Sequence, residues 1–584
     1  MMSLFRKARA SVTNDGAQDA TAAQPRAKRR KTLSGPRVIA AMAGFAGLYG
    51  LIITKLVILG MASEDHAAAL AVATQQVSAS RPDILDRNGE VLATDIRTSS
   101  LFAEPKRILD VDDAIEALGS VIPEMKRDPV IRARLSSKAG FVWLKREITP
   151  QQRDRIHRLG LPGIGFIDEN KRFYPNGSLA AHVVGLVNVD NQGIAGMEKY
   201  LDDKTDLLKL NKEGKIPPEG LPPVKLSIDM RVQHVVRDEV NEAVKKYRAI
   251  AGMGIVIDVR TGEVLAMVSL PDFDPNDPKE ALDKDHMNRD TAGVFEMGSV
   301  FKTFNSAFTL DSGKVKLTDI YETRGGLTIG HQHISEFHGK GRPLSVPEIF
   351  LYSSNTGSAR MALKVGSQAQ HDFFEKVGFL KKLDTELPEE ATPMYPKRLS
   401  DISTATMAFG HGISVTPMHT AIVGAAMING GWLFNPTFLP RTHDQAMETA
   451  KRVIKQETSD EIRYLFKINC APPGSGTRAQ VDGYRVGGKT GTAEKVEKGR
   501  YDHDKRRNSF LAAFPIDDPQ YLVLTVLDEP KPEKEGGSAV AGLNATPTAG
   551  NIIRRIAPML GVMPKFDEGP MAGRNTPADQ LASD

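Results

Sequence analysis

The amino-acid sequence predicts an α+β protein behind a single N-terminal transmembrane helix, and three observations carry that expectation. A long apolar run occupies residues 38–61. The proline-rich stretch Ile216-Pro217-Pro218-Glu219-Gly220-Leu221-Pro222-Pro223 divides the chain that follows it. Beyond that stretch, strand-like segments at both ends bracket a helix-rich middle, and outer strands around a helical insertion make an α+β domain.

The apolar run is 24 residues long with one charge, Lys55. As a helix it spans roughly 36 Å at about 1.5 Å per residue, enough for a bilayer's hydrocarbon core. Residues 1–37 hold nine Lys or Arg against Asp15 and Asp19, a net +7 in a chain of net +4, so the remainder carries −3. Basic residues before the span and Glu64 and Asp65 after it put the N-terminus in the cytoplasm and the rest outside. A cleaved signal peptide is the competing reading, with Ala69-Leu70-Ala71 as its site, but its apolar region is about 7–15 residues. Lys55 lies six residues before Met61, close enough for its ammonium to snorkel to the outer headgroups or to meet a partner's membrane helix.

At 584 residues the chain is long enough for two to four domains. Hydrophobic residues at 41% and charged residues at 25% are ordinary globular values. The basic excess sits in a tail rather than on a folded face, which excludes a nucleic-acid binder. The single cysteine, Cys470, permits no intrachain disulfide and reads as a small buried residue.

Past the span, residues 65–77 are alanine-rich and continue as helix. Residues 81–200 mix short strands, turns and helices, with Asp86-Arg87-Asn88-Gly89 as a turn between Ile84-Leu85 and Val91-Leu92-Ala93. The prolines at 216–223 form a stiff linker, which places the main boundary there. Residues 224–229 read as a strand, and 231–247 carry helical periodicity through Val232, Val235, Val236, Val240 and Val244. A hairpin joins 254–258 to 264–268 across Arg260-Thr261-Gly262. Strands return at 484–486, 510–514 and 521–527, and 551–560 is a closing helix. The final residues, 566–584, lack periodicity and read as a disordered tail.

Three short motifs carry chemistry. In Gly298-Ser299-Val300-Phe301-Lys302 the apolar Val300, Phe301, Phe304, Ala307 and Phe308 share a broad face, and Ser299, Lys302 and Ser306 share another. A lysine one turn after a serine can take its proton if burial lowers the amine's pKa. Such an S-x-x-K pattern arises about once or twice by chance in a chain of this size. Ser353-Ser354-Asn355 offers a hydroxyl to relay a proton and an amide to hold a carbonyl or a lysine, although alone it reads as a cap or turn. Lys489-Thr490-Gly491-Thr492 alternates on a strand, Lys489 and Gly491 to one face and Thr490 and Thr492 to the other. A lysine with hydroxyls suits a substrate carboxylate, and the glycine admits another backbone closely.

In the order S-x-x-K, S-x-N, K-T-G, at intervals of 54 and 136 residues, the three resemble the penicillin-binding proteins and serine β-lactamases. Upstream, Arg81-Pro82-Asp83-Ile84-Leu85-Asp86-Arg87-Asn88-Gly89 resembles a box of the class B penicillin-binding proteins, with Pro82 where glycine is usual. Arg172-Phe173-Tyr174-Pro175-Asn176-Gly177, Ala181-His182-Val183-Val184-Gly185 and Gly193-Ile194-Ala195-Gly196-Met197-Glu198 resemble the remaining boxes of that class's pedestal. The R-x-Y-P-x-G form and Phe409-Gly410-His411-Gly412 to Thr416-Pro417 are most similar to the septal division branch. Glu296-Met297 stands where Glu-Pro is common.

The resemblance covers about residues 38–563 and implies a cytoplasmic tail (1–37), an anchor (38–61), an elongated mixed pedestal of the dimerisation type (62–223), a transpeptidase domain (224–565) and the tail (566–584). The transpeptidase domain is expected to be an antiparallel sheet flanked by helices with a helical subdomain, and Arg81, Arg87 and Glu198 are read as interdomain contacts. The implied reaction is acyl transfer in the periplasm, from a bacterial inner-membrane anchor. Unprotonated Lys302 takes the proton of Ser299, which attacks a D-Ala-D-Ala carbonyl; the N–H groups of Ser299 and Thr492 hold the oxyanion. Ser353 protonates the leaving D-alanine, Asn355 orients the substrate, and Lys489, Thr490 and Thr492, with Gly491 between them, hold its carboxylate end. No metal or organic cofactor is needed. Implied partners are peptidoglycan stem peptides, β-lactams, and a septal SEDS-family (FtsW-like) glycosyltransferase with other division proteins. Three alternatives stay open: an elongation-type transpeptidase, a β-lactam hydrolase or carboxypeptidase, and a non-catalytic scaffold.

Overall fold

The computed structural model describes residues 35–73, 81–205, 221–336, 339–497 and 500–566. It divides into two compact units, 1–75 and 76–584. In the first, one helix runs Gly35–Ala73, and its segment Ile39–Ile58, of mean hydropathy 1.8, is long and apolar enough to cross a membrane. The expected alanine-rich continuation is helical through Ala73; the rest of it, the basic tail to residue 34, most of the proline linker and the tail beyond Phe566 lie outside the described residues.

The second unit opens with the expected turn. Strand Ile84–Leu85 pairs antiparallel with the head of strand Val91–Ala103, Ile84 opposite Ala93. The Asp86 carboxylate closes the turn by accepting the backbone N–H groups of Asn88 at 2.7 Å and Glu90 at 2.8 Å. Val91–Ala103 then pairs with both Val142–Ile148 and Ile164–Phe173. Helices Val111–Val121, Pro129–Leu135 and Pro150–Arg158 start from Asp110, Asp128 and Thr149, whose side chains accept N–H groups of the first turn. Leu118, Ile131 and Ile156 pack with Leu101 and Leu144 into a core of their own.

Arg81 and Glu198 are corrected by the structure. Glu198 is fully buried between Arg81 (2.9 Å) and Arg172 (2.6 Å), with Asp202 on the outer side of Arg81 and Asp95 on that of Arg172. All five side chains lie within residues 81–202, so the network braces the pedestal segment internally rather than joining it to the C-terminal part. Arg87 does reach across, to Glu263 at 3.5 Å. Asp86 also bridges, accepting the N–H of Met230 at 3.1 Å.

The expected strand at 224–229 shrinks to Val224–Lys225, which pairs parallel with Ile84–Leu85. Asp229 cannot extend it because its side chain accepts the N–H of Arg231 and starts helix Met230–Lys246. The main sheet has the strand order Gly487–Glu497, Arg500–Phe514, Tyr521–Asp528, Ala251–Asp258, Val264–Leu270, antiparallel throughout. The last three are buried at every position, so both faces are covered. Val236 and Val240 of helix Met230–Lys246 and Ile552 and Ile556 of helix Ala545–Met559 pack with Val256 and Ala266. Ile422 and Ala425 of helix Pro417–Ile428 pack with Leu511, Leu522 and Leu524. The first strand begins at Gly487 rather than at 484, where Tyr484 makes only an isolated bridge to Val481; the K-T-G triplet lies on the strand, as expected. Cys470 is buried and free, as expected.

Candidate active site

Ser299 sits on the tight turn Gly298–Val300 that feeds helix Phe301–Asp311. Phe301 and Phe304 pack on Phe379, with ring centroids 5.1 and 4.8 Å apart. The sequence put Lys302 and Ser306 on a separate polar face; that face is buried too, because helix Asn355–Val365 and strand Gly487–Glu497 close over this region. Ser353 follows helix Val346–Leu351 with φ +57°, a left-handed conformation rare for a side chain with a Cβ and costing of order 1–3 kcal/mol. Ser354 caps helix Asn355–Val365 by accepting the N–H of Gly357 at 3.0 Å, so Asn355 is that helix's first residue.

On strand Gly487–Glu497 the residues alternate as expected. A Cβ placed on Gly491 would stand 2.6 Å from the carbonyl oxygen of Met297 and 2.4 Å from Ser509 Oγ, so glycine is what lets the strand lie against the serine turn. On the opposite face the hydroxyls of Thr490 and Thr492 are engaged elsewhere. Thr490 Oγ1 lies 2.6 Å from Ser475 Oγ, and Thr492 Oγ1 accepts the N–H of Ala541 at 3.3 Å.

Ser299, Ser353 and Asn355 converge on Lys302 Nζ, and Lys489 joins them through Ser353. It stands 3.0 Å from Ser299 Oγ, 3.0 Å from Ser353 Oγ, 2.8 Å from Asn355 Oδ1 and 2.5 Å from the Ser353 carbonyl oxygen. Lys489 Nζ donates to the same Ser353 Oγ at 3.0 Å and lies over the Phe350 ring. The chemistry of these partners is unequal. The Ser353 carbonyl and Asn355 Oδ1 can only accept. A neutral amine spends its two N–H groups on them and keeps its electron pair for a hydroxyl proton, which Ser299 is placed to supply.

Electrostatics favour that neutral form. Lys302 and Lys489 are 1% and 0% exposed. Burial, and secondarily the Lys489 charge, push the Lys302 amine well below the ordinary lysine range; burial brings Lys489 down to about 7. Two ammonium groups across one hydroxyl would repel, and Lys302 is the one pressed to release its proton. His411 is pushed down to about 4, by burial first and then by Lys302. Its ring packs edge-on to Tyr501, whose hydroxyl lies 3.2 Å from Glu296 Oε1.

Sequence reasoning missed Glu336, Ser475 and Asn469. The Asn469 amide donates to the carbonyl of Gly488 at 2.8 Å and accepts from Ser475 at 3.2 Å, tying the motif strand to helix Gln456–Asn469. None of the three stands in a recognisable pattern; each acts through a contact made only in the folded chain. Among the described residues no group of three or more His, Cys, Asp or Glu side chains is placed to hold a metal ion.

Comparison with known proteins agrees with this architecture. Residues 252–553 match the penicillin-binding protein transpeptidase domain, and residues 76–212 match the penicillin-binding protein dimerisation domain. The chain is 36% identical to the probable peptidoglycan D,D-transpeptidase FtsI of Caulobacter vibrioides, over 84% of this chain and 83% of that one. It is 31% identical to the peptidoglycan D,D-transpeptidase FtsI of Escherichia coli over 82% and 84% of the two chains. It is 32% identical to the stage V sporulation protein D of Bacillus subtilis over 84% and 79%. The chain belongs to the penicillin-binding protein transpeptidase family, as a serine-type class B penicillin-binding protein of the FtsI kind.

Proposed function

We propose that this protein is the D,D-transpeptidase that cross-links peptidoglycan stem peptides at the division septum. The septal assignment is supported by its similarity to proteins named FtsI. In this reading the helix through residues 38–61 anchors it in the inner membrane, tail in the cytoplasm and catalytic domain in the periplasm, beside an FtsW-like glycosyltransferase. The single observation that carries the chemistry is the partner set of Lys302 Nζ, two obligatory acceptors and the hydroxyls of Ser299 and Ser353.

Lys302 takes the Ser299 proton as Ser299 Oγ attacks the penultimate D-alanine carbonyl. The resulting oxyanion lies on the N–H groups of Ser299 and Thr492. Ser353, between the two lysines, passes a proton to the departing D-alanine nitrogen as the peptide bond breaks. Asn355 orients the substrate and Lys489 holds its carboxylate end, joined by Thr490 and Thr492 as their hydroxyls exchange Ser475 and Ala541 for the substrate; Gly491 leaves the room. A second stem peptide's amine then attacks the ester and frees Ser299. A β-lactam acylates the same oxygen by opening its ring.

Intact-protein mass after excess benzylpenicillin tests this. One adduct mapped to Ser299 and lasting many minutes after drug removal is the expected result. An adduct that vanishes at once indicates a hydrolase, and none at all a scaffold or an enzyme held inactive without its partner. Filaments on depletion support the septal role, and spheres the elongation role.

A pH prediction follows from the lysine pair. Acylation requires neutral Lys302, so its rate rises as pH climbs through the Lys302 pKa and is lost below it, with the midpoint well below 10.5. Lys489→Met removes the positive charge that depresses Lys302, so the midpoint moves to higher pH. An unmoved or lowered midpoint in the acylation profile contradicts this coupling. Stability has the same sign: the unfolded chain binds more protons between the lowered and ordinary pKa values, so the cost of burying the two amines falls as pH rises from about 7 toward 10.5.

A further inference from the structure

Glu336 follows the short strand Gln332–Ile334, 17 residues before Ser353 and outside every motif. Its carboxylate lies across the start of helix Asn355–Val365. One oxygen accepts the N–H of Asn355 at 3.0 Å; the other accepts the N–H of Thr356 at 3.0 Å, the Ser354 hydroxyl at 2.6 Å and the Thr356 hydroxyl. With Ser354 Oγ taking Gly357, the unpaired N–H groups of this helix end are satisfied by one carboxylate and one hydroxyl. A negative charge at the positive end of the helix dipole strengthens each of these bonds. The neighbouring Ser335 carbonyl accepts Asn355 Nδ2 at 3.3 Å. With its nitrogen held there, the Asn355 amide presents Oδ1 to Lys302.

We propose that Glu336 is a positioning residue for the reaction: by clamping Ser354, Asn355 and Thr356 it sets Asn355 Oδ1 and the Ser353 carbonyl against Lys302 Nζ, so that the amine's remaining electron pair meets Ser299. The proposal rests on the serine-transpeptidase reading above. Ser353 keeps an unfavourable left-handed φ only while its surroundings impose it, and the next three residues along the chain are those Glu336 holds. Without the clamp Ser353 relaxes, its carbonyl leaves Lys302, and the lysine's third valence is no longer directed. Misplacement of about 1 Å at such a point costs roughly 10²-fold in rate.

Among the described residues, the charged and titratable groups facing Lys302 are Lys489 from the motif strand, Glu336 from the loop after strand Gln332–Ile334, and His411 from the loop after helix Asp401–Met407, neutral above about pH 4. Removing the negative charge of Glu336 therefore moves the Lys302 midpoint down, opposite to Lys489→Met.

The test uses the full-length protein in detergent, with the second-order rate of acylation by a fluorescent penicillin measured across pH for wild type, Glu336→Ala, Glu336→Gln, Glu336→Asp and Ser299→Ala. Expected are a loss of about 10²-fold in Glu336→Ala, a smaller loss in Glu336→Gln with its midpoint at lower pH, and partial recovery in Glu336→Asp. Rates are taken per folded molecule, from melting curves of the same samples. A wild-type rate and profile in folded Glu336→Ala overturns the positioning role, as does a Glu336→Gln midpoint that stays in place or rises. The Ser299→Ala arm separates the two failures, because label on that variant sinks the serine reading itself.

Discussion

Ser299→Ala is expected to abolish covalent labelling by penicillin, and Lys302→Met to reduce its rate by about 10²–10⁴ or more. The first removes the hydroxyl assigned to attack, 3.0 Å from the Lys302 amine. The second keeps much of the side chain's volume but removes the electron pair that receives the proton. Methionine also leaves the Ser353 carbonyl and Asn355 Oδ1 without a donor, at about 1–3 kcal/mol for each buried unsatisfied group. The Lys302 variant should therefore melt lower than wild type while Ser299→Ala melts close to it. Intact mass and a melting curve on the same preparation distinguish lost chemistry from lost fold. Full labelling of either variant, in folded protein, refutes the assigned roles.

The second large effect concerns stability. Glu198→Ala is expected to destabilise the pedestal segment by about 3–5 kcal/mol, the scale for removing one partner of a buried ion pair. Glu198 serves two guanidinium groups at once, and Arg81 and Arg172 have side chains at most 2% exposed. Asp202 and Asp95 remain, one for each arginine, so the loss falls short of two stranded charges but leaves one carboxylate where each arginine had two. Glu198→Gln should cost less because its amide oxygen still accepts one bond. Chemical denaturation read at residues 81–205 measures the effect. A change within about 0.5 kcal/mol, the range of ordinary surface substitutions, would refute the account. In the fraction still folded, penicillin labelling should persist, since no residue of this network touches Lys302 or Ser299.

Much of the chain was legible where local rules suffice. The apolar run, the turn at Asp86, the helix at 231–247 and the hairpin across Arg260 each follow from periodicity or turn chemistry within a few residues, and the structure has all four close to their expected bounds. The errors are instructive in the same terms. The strand at 224–229 was cut short by a capping Asp229. The strand at 484–486 slid onward because Gly487 and Gly488, which look like a turn, pair instead with Ala513 and Ala512. Arg81 and Glu198 were assigned to the wrong boundary because a charge names neither its partner nor that partner's place in the chain.

The motifs themselves illustrate the division. Ser299, Lys302, Ser353, Asn355 and Lys489 were singled out by the order of three motifs and the family resemblance it carries; each motif alone also reads as an amphipathic helix, a cap or a turn. Neither the left-handed Ser353, nor the two acceptors that hold the Lys302 amine, nor the carboxylate of Glu336 across a distant helix end could be read that way. These depend on segments about 20 to 190 residues apart being pressed together by the buried faces of the sheet and its helices. Local periodicity is encoded residue by residue, whereas desolvation and the partner of a buried charge exist only once the core has closed around them.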